Sequence, residues 1–240
     1  MRPFGSDLND LDVNFTSRPP LVGAEVLRHC APLGADAALD LPVGARTQAL
    51  VDLAGVSSSR ALAIGLRCPN LRCRESIEIE LDAAELRAWS SETERDAVAV
   101  EINGRPARLR RPTGRDQRAW LEAGWSNVET ARRGMLASLL SDVAPDDLDP
   151  PALDTIEREL ARIDPLVDFT LTVSCPACGS SALHTIDLER QALAALRAIQ
   201  ERLLETVVQL ASRFHWSEAE ILALPQWRRD RYLVLGDAGR

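Results

Sequence analysis

Lysine is absent from this 240-residue sequence, so all 28 basic side chains are arginine. Against them stand 36 Asp and Glu, and the formal net charge is −8. An acidic chain of this kind is poorly suited to nucleic acid or to an anionic membrane surface. Aromatic residues are few, at 4%, although five of them are Trp. No apolar run approaches the roughly 20 residues needed to cross a bilayer. The N-terminus, Met1 to Asp10, has no apolar stretch of the signal-peptide kind. These absences lead to the expectation of a cytoplasmic protein with no membrane contact. Also missing are a glycine-rich phosphate loop, a nucleophile elbow, a His-Glu-x-x-His helix and a kinase signature. The abundant carboxylates fall mostly on predicted helix faces. The chain is therefore expected not to be an enzyme and to take no small-molecule substrate.

An apolar fraction of 45% can supply a folded core. Residues 1–20 are polar, end in Arg18-Pro19-Pro20, and read as a mobile N-terminal arm. Two helical patterns follow in 21–55, one from Leu21 to Cys30 and one starting after Pro42 with Gly55 as its stop. The period then changes: Leu62, Ile64 and Leu66 alternate before Cys68, and Ile77, Ile79 and Leu81 alternate after Cys73. That is a hairpin with two cysteines at its tip. A short helix over Asp82–Trp89 leads to a second hairpin, Ala97–Ile102 and Ala107–Arg111, turned by Asn103-Gly104. Thr113 and Asp116 cap a helix bearing Trp120 and Leu121, and a further helix holds Met135, Leu136, Leu139 and Leu140. An acidic linker, Asp142 to Pro151, precedes an amphipathic helix with Ile156, Leu160 and Ile163 on one face. Phe169, Leu171 and Val173 alternate before Cys175, and Ala182, His184 and Ile186 follow Cys178. A long helix runs from about Leu188 to Phe214. The order strand, cysteine pair, strand, helix thus occurs twice.

In a reducing compartment, five cysteines point to metal or thiol chemistry before disulfides. Zinc prefers four thiolates in a tetrahedron, and a tight turn between strands can present two of them. Cys175-Pro-Ala-Cys178-Gly179 suits that need, with Pro176 shaping the turn and Gly179 free to take a positive φ. Cys68-Pro69-…-Cys73 has four intervening residues, a less diagnostic spacing. Together, Cys68, Cys73, Cys175 and Cys178 are expected to hold one structural Zn2+. All four positions would be filled by protein, leaving no place for a reactive water. The competing readings are two pairs of ordinary thiols and a thioredoxin-like redox pair at Cys175 and Cys178. The redox reading is weakened because a strand, not a helix, follows the pair. Cys30 reads as a small buried residue in a helix.

Three histidines and two arginine groups complete the candidates. His215 reads as a turn residue between helices, His184 as a strand residue that could alternatively donate to a cysteine sulfur, and His29 as a surface helix residue. Arg105, Arg108, Arg110, Arg111, Arg115 and Arg118 form a locally basic stretch without interleaved aromatics, so a protein contact or a solvated face is favoured over nucleic acid. In the tail, Ser217 and Glu220 form a capping box for a short helix. Trp216, Trp227, Arg228, Arg229, Arg231 and Tyr232 are candidate partner-binding residues, being of the types enriched at interface hot spots. The chain's own long helix is the competing site to bury that tail.

The tail His215-Trp-Ser-Glu-Ala-Glu-Ile-Leu-Ala-Leu-Pro-Gln-Trp-Arg-Arg-Asp-Arg-Tyr-Leu233 resembles the C-terminal segment of the T4 bacteriophage base plate protein family. With the two Cys-Pro knuckles and Leu109-Arg-Arg-Pro-Thr113, the sequence is similar over roughly residues 40–235 to a longer zinc-binding relative from contractile injection gene clusters. The Cys68–Cys73 spacing departs from a tight Cys-x-x-Cys. The resemblance implies a component or assembly chaperone of a phage-tail-like baseplate, with other baseplate or tail proteins as partners. The alternative is a zinc-ribbon nucleic-acid-binding or regulatory protein. The expected fold is α+β and mainly helical, with β-hairpins carrying two cysteine knuckles that share one zinc. The expected organisation is an arm over 1–20, a zinc-stapled domain over 21–190, and a long helix with its tail motif over 191–240.

Overall fold

Alternating apolar residues become strands in three places, and each place is a two-stranded antiparallel hairpin. A computed structural model of the chain describes residues 1–58, 60–91, 95–141 and 143–237. Asp142, at the start of the expected linker, and residues 238–240 of the expected tail region lie outside them. The first hairpin pairs β1 (Leu62–Arg67) with β2 (Ser76–Leu81), the second β3 (Ala97–Ile102) with β4 (Arg105–Arg110), and the third β5 (Thr170–Ser174) with β6 (Ser181–Thr185). Asn103 and Gly104 turn the second hairpin with φ of 50° and 76°, the paired positive values of a type I′ turn.

Helices make up most of the rest, giving the α+β, mainly helical architecture expected. They are α1 (Pro19–Cys30), α2 (Ala35–Asp40), α3 (Val43–Ser58), α4 (Ala83–Ser91), α5 (Gly114–Glu122), α6 (Val128–Ala137), α7 (Pro150–Ile163), α8 (Leu188–Phe214), α9 (Glu218–Leu222) and α10 (Gln226–Asp237). The capping signals work as chemistry. The Thr113 side chain accepts from the Asp116 N–H while Asp116 reaches back to the Thr113 N–H at 2.7 Å. Ser217 and Glu220 form the same reciprocal box at the start of α9. Gly55 does not end α3, as the sequence had suggested. The helix continues to Ser58 because Gly55 does not take the left-handed conformation of a helix stop; beyond it, the hydroxyls of Ser57 and Ser58 bond back to the carbonyls of Leu53 and Ala54.

Two apolar cores divide the chain in an informative way. The first joins α1, α3, the first hairpin and the N-terminal half of α8, with Leu27, Leu50, Leu53 and Leu196 fully buried. The second is built wholly from residues 98–160, around Leu109, Leu153 and Ile156. Leu148 is fully buried there and Val143 packs against the same core, so these two residues dock the acidic stretch before α7 on it. Arg46, also fully buried, ties α3 to both α5 and α8. Its Nε and Nη2 donate to Glu189 at 3.2 and 2.8 Å, and Nη2 also donates to Gln117. A Cβ at position 114 would lie 2.2 Å from Arg46 Nη1, so any larger residue where α5 passes the guanidinium would have to displace it.

The expectation of a mobile arm over 1–20 is corrected by the structure. Phe4 is 2% exposed and Val13 3%. Arg2 grips Asp10 with both Nη atoms at 2.7 and 2.6 Å, and Asp10 also accepts from the Gly5 N–H. From α8, the Gln200 side-chain amide donates to the carbonyls of Asp10, Leu11 and Val13. Polar composition suggested a free arm. A few apolar anchors and one buried amide dock it to the first core.

Candidate metal centre

The first and third hairpins present their cysteines by the same local device. In each, the first cysteine directly follows a strand, Cys68 after β1 and Cys175 after β5. Its N–H donates across the hairpin mouth, Cys68 to the Glu75 carbonyl and Cys175 to the Ser180 carbonyl, both at 2.9 Å. The second cysteine stands two residues before that closing residue in both cases. It is followed by a residue in the left-handed region, Arg74 at φ 51° and Gly179 at φ 71°. The hairpins differ only in the stretch between their cysteines. The longer one accommodates its two additional residues in a turn where the Asn70 carbonyl accepts from the N–H groups of both Cys73 and Arg74. The departure from Cys-x-x-Cys spacing is thereby absorbed without moving the second cysteine relative to the hairpin mouth.

The four Sγ atoms lie within 4.8 Å of one another. Contacts cross between hairpins: Cys68 to Cys178 at 3.6 Å and Cys73 to Cys175 at 3.8 Å. A tetrahedron with metal–sulfur bonds of about 2.3 Å has edges of about 3.8 Å. Both separations match that edge, and both far exceed the roughly 2.05 Å of a disulfide. The quartet can therefore hold a metal ion, with thiolates at every corner of a four-coordinate site.

Ile77 and Val173 pack under the sulfurs in a small apolar cluster of their own, with Cys68 and Cys175 buried and Cys178 exposed. Without metal, the four thiols are electrostatically unequal. Burial pushes Cys68 up to about 12. Hydrogen bonds from the hydroxyl and N–H of Ser180 bring Cys178 down to about 6. Asn70 adds a contact that sequence reasoning missed. Its Nδ2 lies 3.9 Å from Cys178 Sγ and 3.4 Å from Ser180 Oγ, while its Oδ1 accepts from the Arg72 N–H. The only sequence hint was an Asn placed directly after a Cys-Pro.

Cys30 stands apart, buried in α1 with its sulfur 4.0 Å from Asp10 Oδ1, and burial raises it to about 11. His184 sits in β6 opposite Leu171, its Nε2 buried with no hydrogen-bond partner among the described residues. His215 ends α8 in the left-handed region, φ 55°, where it turns the chain toward α9. Within the basic stretch, Arg110 is bidentate to Asp116, Arg115 pairs with Asp40, and Arg111 is 8% exposed beside Asp164.

The tail candidates separate into inward and outward groups. Phe214 and Trp216 stack at 4.8 Å, and Tyr232 closes edge-on against Trp216 at 5.0 Å. Ile221 is fully buried against Val207 and Leu210 of α8. Arg228 lies over the Tyr232 ring and donates to its hydroxyl. Arg229 is 6% exposed, which corrects its assignment as a partner-binding residue: burial on the inner side of α10 lowers its pKa and removes it from the surface. Trp227, at 70% exposed, and Arg231 face outward.

No protein-family model, curated protein or solved structure matches the chain. Among the described residues no helix is long and apolar enough to cross a membrane.

Proposed function

We propose that the protein is a non-enzymatic, zinc-stapled component or assembly chaperone of a phage-tail-like contractile baseplate, acting in the cytoplasm through its C-terminal tail. The observation that carries the structural part of this reading is the closed thiolate quartet. Four sulfurs occupy all four corners, so a bound Zn2+ has no open position for water or substrate and contributes folding energy instead. Zinc is the metal best matched to four thiolates on two knuckles in a reducing cytoplasm, where it has no redox chemistry. Cys68, Cys73, Cys175 and Cys178 would be its ligands, with Asn70 and Ser180 supporting Cys178.

The baseplate part rests on the resemblance of residues 215–233 together with the knuckles. The salt-bridged state of Arg110 and Arg115 argues against the nucleic-acid alternative, because cations already paired to carboxylates gain less from phosphate. The test is affinity purification of the tagged protein from its native host, followed by mass spectrometry. Recovery of baseplate or tail subunits is the expected outcome. Salt-sensitive retention on DNA or RNA, with no tail subunits recovered, would favour the regulator instead.

A further inference from the structure

The inner side of α10 is consumed by the aromatic contacts described above, and its outer side is left bare. Trp227, Arg231 and Val234 follow at i, i+4 and i+7, with Leu235 beside them, so they share one face. Trp227 is 70% exposed, Val234 59% and Leu235 52%. Three large apolar groups around a single cation form a stripe about 12 Å long, at 1.5 Å per residue.

The same chain carries a second stripe of matching length and opposite charge. On α8, Glu201, Leu204, Glu205 and Val208 fall at i, i+3, i+4 and i+7, turned away from the buried Leu203, Val207 and Leu210. Leu204 is 41% exposed and Val208 63%, and both glutamates are exposed. Arg197 already pairs with Glu201 at 2.9 Å, which leaves Glu205 as the carboxylate best placed to meet an incoming arginine. One stripe is apolar and basic, the other apolar and acidic, and each spans about two helical turns.

We infer that the outward face of α10 docks on the α8 stripe of a second copy of this chain, so that the protein is a two-fold symmetric dimer joined through its C-terminal helices. The inference rests on the reading of the tail as an interaction element and names its occupant. In a two-fold dimer the contact is made twice, α10 on α8 and α8 on α10, which doubles the buried apolar area and the number of Arg231–Glu205 pairs. Trp227 provides the large rigid anchor typical of such contacts, and the charge pair fixes register against the Leu204–Val208 ridge. The long-range repulsion between two chains of net charge −8 makes the association stronger at moderate salt than at low salt.

The experiment is sedimentation equilibrium of the purified, metal-loaded full chain, with circular dichroism and metal content checking that each variant is folded. The wild type is expected at twice the 26.3 kDa chain mass in the micromolar range. Trp227→Ala, Arg231→Glu and Glu205→Arg should each weaken the dimer by about tenfold or more. The double variant Arg231→Glu/Glu205→Arg should recover most of that loss, because the pair is restored with its charges exchanged. A wild type that stays monomeric overturns the inference, as does a dimer indifferent to all three substitutions or a double variant no better than its parents. A monomer that still recovers tail subunits from its host would overturn the self-docking alone and leave the baseplate reading standing.

Discussion

The Cys68 and Cys178 sulfurs stand 3.6 Å apart although 110 residues separate them in the chain. With Cys73 and Cys175 at 3.8 Å over a separation of 102, each knuckle supplies one half of the other's contacts. If one ion occupies the quartet, protein purified without chelator should carry about one zinc per chain by elemental analysis. Stripping it should lower the melting temperature by many degrees, since the metal's binding energy is folding energy. A metal-free protein that melts unchanged would refute the staple.

The crossed contacts also dictate how mutations combine. Cys73→Ser and Cys178→Ser each remove a corner of one shared site. The double variant should therefore be scarcely less stable than either single one, in place of the summed loss expected for separate sites. Thermal melts of the three variants decide this directly. Additive losses would mean that the hairpins do not share an ion.

Proton competition gives a third expectation. Thiolates bind metal and thiols do not, so affinity should fall as pH falls, measured by competition with a coloured zinc chelator. Hydrogen bonds from Ser180 bring Cys178 down to about 6, and burial pushes Cys68 up to about 12. An ordinary cysteine titrates at about 8.5. The depressed value of Cys178 contributes stability above the unfolded pKa, and that contribution is lost as pH falls through about 6. A limiting amount of iodoacetamide at pH 7 should accordingly label Cys178 first and Cys68 last. Peptide mass spectrometry would expose the opposite order.

The N-terminal segment supplies a fourth. Phe4 is buried against Phe15 in an edge-on pair at 6.0 Å, and its N–H donates to Ser57 Oγ at 2.8 Å. Phe4→Ala should cost about 3 kcal/mol, the scale for truncating a buried Phe. Gln200→Leu should also destabilise, because it removes the donor for three carbonyls. Chemical denaturation measures both. A free arm would leave the midpoint unmoved.

How far the sequence reveals this fold depends on the range of the cause. Asn103-Gly104, the two capping boxes and the strand alternations around the cysteines are local signals, and the structure realises them residue by residue. The span of α8 from Leu188 to Phe214 was legible from its apolar stripe. The docking of residues 1–13 was not, because it depends on Gln200, nearly two hundred residues away. The six residues of α2 are too few for a periodic pattern, and a glycine such as Gly55 marks a helix stop only when it takes a positive φ, which its sequence position does not reveal. The grouping of the four cysteines into one cluster was readable from spacing. The support from Asn70 arises only when the two hairpin tips meet. Arg229 read as a surface cation because a run of arginines does not say which one turns inward.

The second core, made only from residues 98–160, leaves and re-enters the chain between the two knuckles. The quartet thus acts as a clasp at the neck of a long insertion whose interior is self-sufficient in apolar contacts. Because closing a longer loop adds only about 0.6 kcal/mol per doubling of its length, such a clasp tolerates growth, shrinkage or exchange of what it encloses. The architecture can vary in this middle part while the cysteine quartet and the long C-terminal helix keep the frame constant.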